Sequence, residues 1–358
     1  MDQQIKQLIK IHSIPSIGDQ TIIKFFQQTT DLDLILNEIK KGTIFGIKKP
    51  TDYTLLPDSE IEKIYQKVLK YQVQIIPYYD LAYPPKLKDL IDPPAILYCR
   101  GEITSLQKTS LSIIGTRGYS YYGRQVSELL IPDLIKSGVT IVSGLALGID
   151  ALAHEITLKN NGIGIAILGS GIDLIAPVSN SRIADDLIAH KGCIVSEFPI
   201  GTLPSHYTFP QRNRIIAALS VGTLIIEAGE KSGSLMTAEF ALDLGRDVFA
   251  IPGSILSSTS LGTNRLIGNG AKIVTTVADI LMEYGIHPQS NVKLIELEFD
   301  SDLERKVYEL IKTEPIFIDD LIEQVNENVS NVVTMISQLE YKRYITRLNG
   351  DYFTRRIS

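Results

Sequence analysis

Between Leu111 and Gly285 the chain repeats one pattern, in which a short apolar run is followed by a longer stretch of helical periodicity. The apolar runs, each bounded by Gly, Ser or Asp, are LSIIG, TIVSG, GIAILG, CIVSEF, GTLIIEA, DVFAI and KIVT. Near-continuous apolar runs indicate strands that are buried on both faces, and the helices between them indicate right-handed crossovers. The pattern predicts an α/β domain over residues 76–288, a Rossmann-like, doubly wound parallel sheet.

The amino-terminal part of the chain has short helical periods separated by polar loops. In residues 1–75 the piece IPSIGDQTIIKFF places a glycine turn between two helical halves. This arrangement predicts an N-terminal helical module of the SAM or helix-hairpin-helix kind, whose turn would offer N–H groups to a phosphate. A tight connection between two helices explains the glycine equally well. Residues 77–95, rich in Pro and Tyr, predict an extended linker or strap.

The carboxyl-terminal part predicts a third domain, residues 298–358. Three helical segments precede two strand-like runs, YITRLN and DYFTRR, which flank Asn349 and Gly350. Three helices followed by a two-stranded ribbon are typical of a winged helix. Its basic and aromatic tail suits a wing on DNA, and it suits a packing or protein-interaction module with a solvated basic face as well.

Composition narrows the class of protein. A chain of 358 residues with 44% hydrophobic and 21% charged residues is typical of a globular protein. No apolar run approaches the roughly 20 residues of a membrane span, and the first residues do not read as a signal peptide. Cys99 and Cys193 lack the spacing of a disulfide framework, so we expect a cytoplasmic protein. A net charge of −6 argues against binding nucleic acid over the whole surface, but it allows a local basic groove.

The predicted strands end in small and polar residues. These candidates are Gly115, Thr116, Arg117 and Gly118 after the first strand, Ser143 and Gly144 after the second, Ser170 and Gly171 after the third, and Glu227, Ser232 and Gly233 after the fifth. The carboxyl ends of parallel strands meet at one edge, where exposed backbone N–H groups bind phosphate. The sequence therefore predicts a phosphate-containing ligand at this edge.

Known nucleotide motifs do not fit. The first loop, GTRGYSYYG, lacks the GxGxxG spacing, and no Walker lysine loop is present, so we expect no cofactor and no NTPase activity. Arg117 can bind phosphate oxygens with its two-pronged guanidinium group. Alternatively, Arg117 pairs with a carboxylate on a helix.

The stretch FPQRNRII predicts the start of a helix at Pro210, with three polar side chains in its first turn. These side chains are Arg212, Asn213 and Arg214. Since residues two apart on a helix diverge, only one arginine can point into the groove, and the other meets an acid such as Glu227 or orders a neighbouring loop. Phe209, placed just outside this helix, either packs onto the helix or stacks on a base.

The candidate catalytic residues lack the partners that a catalytic motif would supply. Asp150 and His154 lie four residues apart, as an acid–base pair or two metal ligands would, but no third ligand and no HExxH motif accompany them. We therefore favour a packed histidine, and we expect no metal. Ser143, Ser170 and Ser232 lack GxSxG surroundings, so a nucleophile elbow is not expected. The chain is predicted not to be an enzyme.

Five motifs in series resemble the DprA/Smf family of DNA-processing proteins. They are IIGTRGYSYYG, SGLALGIDALAHE, FPQRNRIIAALS, EAGEKSGSLMTAEFALDLGRDVFAIPG and SLGTNRLIGNGA. The resemblance implies a protein that binds and protects incoming single-stranded DNA during natural transformation and loads the RecA recombinase onto it. It also implies a homodimer formed through the Rossmann-like domain and no catalytic activity.

By position, the resemblance implies roles for individual residues. Arg117 would bind phosphate, Phe209 would contact a base, and Arg212, Asn213 and Arg214 would form a second binding element; Gly144, Gly171, Ser232 and Gly233 would supply backbone contacts. Two positions depart from the family. His206 stands where the family often has lysine, so this contact would depend on pH, and Ala176 precedes Pro177 where tyrosine is usual.

Two other functions compete with this one. An enzyme acting on nucleotides, similar to the LOG-type phosphoribohydrolases, would need a PGGxGT loop, whereas residues 252–257 read PGSILS. A scaffold for other competence proteins would leave the glycine-rich edge unexplained.

Overall fold

The structure is a computed structural model that describes residues 2–15, 17–41, 55–286, 299–312, 314–342, 344–348 and 350–355. The chain divides into two units, residues 1–288 and 289–358. Within the described residues, no helix combines the length and the apolar character needed to cross a bilayer.

Four amphipathic helices open the first unit. They are α1 (Asp2–His12), α2 (Asp19–Gln28), α3 (Leu32–Lys41) and α4 (Asp58–Lys70). Their apolar faces, for example Ile9 and Phe25, share one hydrophobic core with sheet residues such as Ile96, Leu168 and Ile194. The boundary predicted at residue 75 therefore does not separate two hydrophobic cores.

A nine-stranded sheet forms the centre of the first unit. Its strands are β1 (Gln74–Pro77), β2 (Ile96–Gly101), β3 (Ser110–Ile114), β4 (Thr140–Ser143), β5 (Gly164–Ile167), β6 (Cys193–Ser196), β7 (Gly222–Ile225), β8 (Asp247–Ala250) and β9 (Lys272–Ile273). The spatial order is β1-β2-β6-β5-β4-β3-β7-β8-β9. Strands β3 to β9, which correspond to the predicted apolar runs, are all parallel. Strands β1 and β2 extend the β6 edge in antiparallel pairing.

Helices cover both faces of this sheet. They are α5 (Tyr121–Lys136), α6 (Ile149–Lys159), α7 (Ser181–Ala189), α8 (Thr208–Leu219), α9 (Gly233–Asp243), α10 (Leu261–Gly268) and α11 (Ala278–Leu281). Helices α5 and α6 pack into one apolar cluster through residues such as Ile131 and Leu152. Helices α8 and α9 pack into another through residues such as Ile216 and Ala238. The fold is therefore the doubly wound, mostly parallel arrangement that the apolar runs predicted.

The strand order reverses between β3 and β7. From β3 the chain adds β4, β5 and β6 on one side, and then returns to place β7 on the other side. At such a reversal the following loops diverge and leave a crevice outside the carboxyl ends of the strands. This reversal places the loops after β3 and β7, and the start of α9, around one opening.

The predicted strap lies between β1 and β2. Its Tyr83 and Leu87 are buried in the cluster that also contains α8 residues. Lys86 Nζ donates to the carbonyl oxygen of Leu219, the last residue of α8, at 3.2 Å. The strap therefore fixes the helix that carries the predicted FPQRNR element.

The second unit contains α12 (Asp302–Leu310), β10 (Ile316–Phe317), α13 (Ile318–Val325), α14 (Val329–Tyr341), β11 (Ile345–Leu348) and β12 (Tyr352–Arg355). Its antiparallel sheet has the order β10-β12-β11, and Val307, Leu321, Val332 and Phe353 are among its buried core residues. The third strand was not predicted, because two residues are too few to show a period. Gly350 has a φ of 79°, as a tight turn requires, and Asn349 lies outside the described residues.

Candidate functional site

A cavity of about 560 Å³ opens at the reversal of strand order, between the loops after β3 and β7 and helices α8 and α9. Nine of the predicted site residues line it: Gly115, Thr116, Arg117, His206, Phe209, Arg212, Asn213, Ser232 and Gly233. Seven do not: Gly118, Ser143, Gly144, Ser170, Gly171, Arg214 and Glu227. The structure thus brings together residues from three separate sequence motifs.

The loop after β3 is held rigidly, and it leaves Arg117 exposed. Thr116 N donates to the carbonyl oxygen of Glu227 at 2.8 Å, and Ile149 N donates to the carbonyl oxygen of Thr116 at 3.1 Å. A Cβ atom at Gly115 would lie 2.7 Å from Cγ1 of Ile149, so only glycine fits this close approach. Among the described residues, no carboxylate pairs with Arg117. The alternative that Arg117 meets a helix carboxylate is therefore wrong in this structure.

Helix α8 begins at Thr208, two residues before the predicted start, so Phe209 lies in its first turn rather than outside it. Phe209 is half-buried, and its ring lies over Gly169 at the end of β5: a Cβ atom there would be 2.7 Å from Cδ1 of the ring. Phe209 also lines the cavity. The ring therefore packs against Gly169, and the residue forms part of the cavity wall.

Arg212 lines the cavity and also joins two strand ends. Its Nη1 donates to the carbonyl oxygens of Gly144, at 2.5 Å, and of Ile167, and its Nε donates to Oδ1 of Asn213 at 3.2 Å. A Cβ atom at Gly144 would lie 2.6 Å from the guanidinium group, so this glycine makes room for the arginine. Burial lowers the pKa of Arg212 to about 10, although the nearby Asp150 carboxylate opposes the shift. The side chain remains a cation at neutral pH.

Asp150 lines the cavity and His154 does not, and no hydrogen bond joins these two described side chains. Oδ2 of Asp150 accepts a hydrogen bond from Gly144 N at 3.0 Å. Burial raises the pKa of Asp150, and Arg212 opposes this. His154 is fully buried, and burial lowers its pKa to about 3, so the ring is neutral at physiological pH. Within the described ranges, no three His, Cys, Asp or Glu side chains are placed to hold a metal ion.

Arg214 points away from the cavity, and the prediction that it contacts the ligand directly is not supported by this geometry. Its Nη2 pairs with Oε2 of Glu197 after β6, and its Nε lies 3.3 Å from Oδ2 of Asp92 in the strap. One of the two arginines does meet an acid, as expected from their divergence on the helix. The acid is Glu197, however, and not Glu227.

Glu227 is buried, and its carboxylate accepts hydrogen bonds from the residue that caps the start of α5. Its carboxylate accepts hydrogen bonds from Ser120 N at 2.8 Å, Ser120 Oγ at 2.6 Å and Thr259 Oγ1 at 2.7 Å. The carboxylate sits against Gly123, where a Cβ atom would collide with it. An anion therefore already occupies the positive end of the α5 dipole.

The remaining residues outside the lining have structural contacts or lie at its border. Ser143 Oγ donates to the carbonyl oxygen of Ile113 at 2.6 Å, and Ser170 Oγ donates to that of Leu174 at 2.6 Å. A Cβ atom at Gly171 would lie 2.8 Å from the carbonyl oxygen of Pro199, which makes this position a close backbone approach. Gly118 is exposed beside Arg117, and Ala176 is half-buried away from the cavity.

The lining also includes residues that sequence reasoning did not select, above all Lys231. Lys231 is exposed at the rim, one residue before Ser232, whose Oγ caps α9 by accepting from Ser234 N at 3.4 Å. A lysine between the end of a strand and a helix start was visible in EKSGSL and could have been chosen. Across the opening, the exposed His206 ring packs on Tyr207, with the ring centroids 3.9 Å apart.

Residues 74–285 match the family of DNA recombination-mediator protein A. The chain belongs to this family. It is 34% identical to Protein Smf of Escherichia coli K12 over 351 residues, which cover 96% of this chain and 94% of that protein. It is 38% identical to the DNA processing protein DprA of Streptococcus pneumoniae over 75% of this chain and 94% of that protein. The family resemblance drawn from the motifs is confirmed.

Solved structures of relatives share the α/β fold. The X-ray structure of DprA from Streptococcus pneumoniae has a TM-score of 0.68 and 35% identity, and covers 79% of this chain and 98% of that one. A structure of DprA from Helicobacter pylori, which describes the single-stranded DNA binding mode of that protein, has a TM-score of 0.55 and 32% identity, and covers 61% of this chain and 98% of that one. These matches confirm the predicted α/β fold with its mostly parallel sheet.

Proposed function

We propose that this chain binds single-stranded DNA at the cavity, protects the incoming strand during natural transformation and loads RecA onto it. The observation that carries the proposal is that Arg117, which is exposed and unpaired among the described residues, and the half-buried Phe209 line the same cavity. Phosphate and base, the two recurring parts of any nucleotide, thus meet complementary groups in one opening. The single-stranded DNA binding of the Helicobacter pylori relative supports this function.

Phosphate groups would bind on the side of the cavity formed by the loops after β3 and β7. Arg117 and Lys231 supply two cations there. The first residue of α9, Gly233, adds a backbone N–H group at the positive end of a helix dipole. These contacts do not read the base, so binding would depend on salt more than on DNA sequence.

A base would stack on Phe209 on the opposite side. Aromatic stacking contributes roughly 1 to 3 kcal/mol per base and tolerates any sequence. A base is free to stack in this way only when it is unpaired, because paired bases in a duplex already stack on each other. The cavity therefore favours a single strand over a duplex.

The remaining parts of the proposal concern assembly. We propose that the chain works in the cytoplasm as a homodimer through its parallel-sheet domain, because a second strand-binding site would add avidity. We also propose that it acts as a binding protein rather than an enzyme. The order helix, strand, two helices and two strands in the second unit supports a winged helix, and the helices before β1 support a SAM or helix-hairpin-helix module.

Fluorescence anisotropy of a labelled oligo-dT, titrated at several salt concentrations with a duplex competitor, tests this function. We expect the single strand to bind more tightly than the duplex. Arg117→Ala should weaken binding at least tenfold, since a charge-assisted contact contributes about 1.5 to 3 kcal/mol. Arg182→Ala is the control, because Arg182 is an exposed arginine outside the cavity. A folded protein that fails to bind oligo-dT at low salt would overturn the proposal.

A further inference from the structure

The loop between β8 and α10, residues 252–260, presents two aliphatic side chains to solvent. Ile255 is 82% exposed and Leu256 is 92% exposed. Two tyrosines at and just before the start of α5 are also accessible, with Tyr119 37% exposed and Tyr122 42% exposed, and Tyr122 contacts Pro252 of the loop. We call Tyr119, Tyr122, Ile255 and Leu256 the apolar shelf.

Hydrogen bonds fix this loop at both of its ends. At its start, Tyr122 Oη donates to the carbonyl oxygen of Pro252 at 2.7 Å, and Gly253 exchanges two hydrogen bonds with the Asn264 side chain, at 2.9 and 3.1 Å. Near its end, Thr259 Oγ1 donates to Glu227 at 2.7 Å, and the Thr259 carbonyl oxygen accepts from Ala228 N at 2.8 Å. A fixed loop therefore holds two apolar side chains in water.

The loop that carries Ile255 and Leu256 approaches the lining of the cavity. Gly229 lines the cavity, and a Cβ atom at Gly229 would lie 3.5 Å from the carbonyl oxygen of Ser258 in the loop. On the other side, Arg117 lines the cavity and Tyr119 follows it by two residues. The loop thus approaches the cavity lining at Gly229, and Tyr119 lies two residues along the chain from Arg117.

We propose that the apolar shelf is a second subsite for the same single-stranded DNA, on which bases pack after the strand leaves the cavity past Arg117. The inference rests on the proposed function and extends its binding site. The shelf has no charged side chain of its own, and the carboxylate of Glu227 already occupies the start of α5, so phosphates are not drawn onto the shelf. The flat faces of unpaired bases match aromatic and aliphatic side chains in a sequence-tolerant way.

The dependence of affinity on oligonucleotide length tests the shelf. The variant Ile255→Ser, Leu256→Ser and the wild type are titrated with oligo-dT of about 4 to about 16 nucleotides, the usual range of single-stranded sites. We expect the shortest oligonucleotide that binds to have the same Kd in both proteins within twofold. Longer ones should bind the variant about tenfold more weakly, because only they reach the shelf. The salt slope should not change, because no phosphate contact is removed.

A matched control carries the same substitutions elsewhere. Leu81 and Ile91 in the strap are 99% and 90% exposed, and neither lines the cavity, so Leu81→Ser, Ile91→Ser should not alter affinity at any length. Phe209→Ala should weaken binding of all lengths. If the wild type binds oligo-dT but the Ile255 and Leu256 variant behaves as wild type at every length, the shelf proposal fails while the proposed function stands. If the wild type does not bind, the proposed function fails first.

A fluorescent reporter makes the contact directly visible. The chain contains no tryptophan, so Leu256→Trp introduces a single indole on the shelf. Stacking with thymine should quench its emission with long oligonucleotides and leave it unchanged with the shortest, whereas Leu81→Trp should not respond. The other candidate occupant of the apolar shelf is a second copy of the chain. Sedimentation velocity without DNA measures whether the Ile255 and Leu256 variant still forms a dimer. Loss of dimer in the Ile255 and Leu256 variant, with equal affinity changes at every length, would overturn the subsite.

Discussion

The edge of the first unit and the hairpin of the second unit both carry basic side chains, but the fold treats them differently. At the cavity Arg117 is exposed and, among the described residues, unpaired. In the second unit, Arg355 donates to the carbonyl oxygens of Ile311 at 2.5 Å and of Tyr308 and Glu309 at 3.1 Å, and so caps the end of α12. The comparison suggests the rule that an exposed cation is available to a ligand where the fold leaves it without an internal partner.

Two other basic residues near the hairpin are paired with acids, whereas Lys312, whose carbonyl oxygen accepts from Arg355 N, is exposed and, among the described residues, has no ion pair. Lys342 pairs with Asp300 and Glu304, both at 2.8 Å, and Arg347 pairs with Asp351. Residues 299–358 contain eight Lys and Arg against eleven Asp and Glu, and helix α14 has neither Lys nor Arg. A helix that reads a DNA groove normally brings cations to the phosphates. Of the two alternatives for this unit, we favour the packing or protein-interaction module over a wing on DNA.

The largest effect on stability should come from replacing Arg214. This arginine belongs to the first unit, but like Arg347 of the second unit it is paired with an acid. Measured above pH 7, where Glu197 is ionised in the wild type, Arg214→Ala should lower the free energy of unfolding by about 3 to 5 kcal/mol, since it leaves the buried Glu197 carboxylate uncompensated. Urea unfolding followed by circular dichroism measures this, with Arg182→Ala as an exposed control. A loss below about 1 kcal/mol would show that the pair does not hold α8 in place.

The next effect concerns pH. Burial raises the pKa of Glu197 to about 7, with Arg214 only partly opposing the shift. A carboxyl whose folded pKa lies above its unfolded value stabilises the fold most below the unfolded pKa, and this stability is lost as the pH rises through the folded pKa. His154 acts in the opposite sense, because its pKa is lowered to about 3 and its contribution is complete above its unfolded pKa. As the pH falls in mildly acidic solution, Glu197 therefore raises the free energy of unfolding while His154 lowers it.

The variant Glu197→Gln isolates one of them. Between about pH 4.5 and 7 the unfolding free energy of wild type should fall relative to that of the variant by on the order of 3 kcal/mol. Urea titrations of both proteins across this range supply the difference curve, in which the other titrating groups cancel. Parallel curves would mean that Glu197 is ionised in the folded protein throughout.

A smaller effect is expected at Lys231, which belongs with Arg117 because both are exposed at the cavity rim. Lys231→Ala should weaken oligo-dT binding about three- to tenfold and reduce the salt slope by about 0.7, the value for one phosphate on a single strand. The neighbouring Glu230→Ala should not weaken binding, since it removes an exposed anion. Equal salt slopes for wild type and Lys231→Ala would exclude a phosphate contact at this lysine.

The sequence was most informative where contacts are local. The apolar runs predicted β3 to β9, and because parallel strands end at one edge, Gly115, Arg117 and Ser232 could be placed together. Side-chain direction was not predictable: the hydroxyl of Ser143 turns inward to Ile113 rather than toward the opening. Ion-pair partners that lie far apart in the chain, such as Asp92 and Arg214, were also not predicted. Contacts between distant loops leave no local pattern in the sequence.

The smallest expected effect is that of replacing Arg347, a paired arginine of the second unit. Arg347 lies on β11 and is more than half exposed, so its position alone would allow a DNA contact; its pairing with Asp351 argues against one. Arg347→Ala in the full chain should therefore change the Kd for oligo-dT less than twofold and leave the salt slope unchanged.

Asp351→Asn makes this test sharper because it frees Arg347 without removing it. If pairing keeps Arg347 from DNA, the freed cation should tighten binding slightly, by less than twofold, and steepen the salt dependence. If Arg347→Ala instead weakens binding about tenfold, as expected for Arg117→Ala, an ion pair within the hairpin does not prevent DNA contact. The second unit would then be a wing on DNA, and exposure rather than pairing would decide which cations bind.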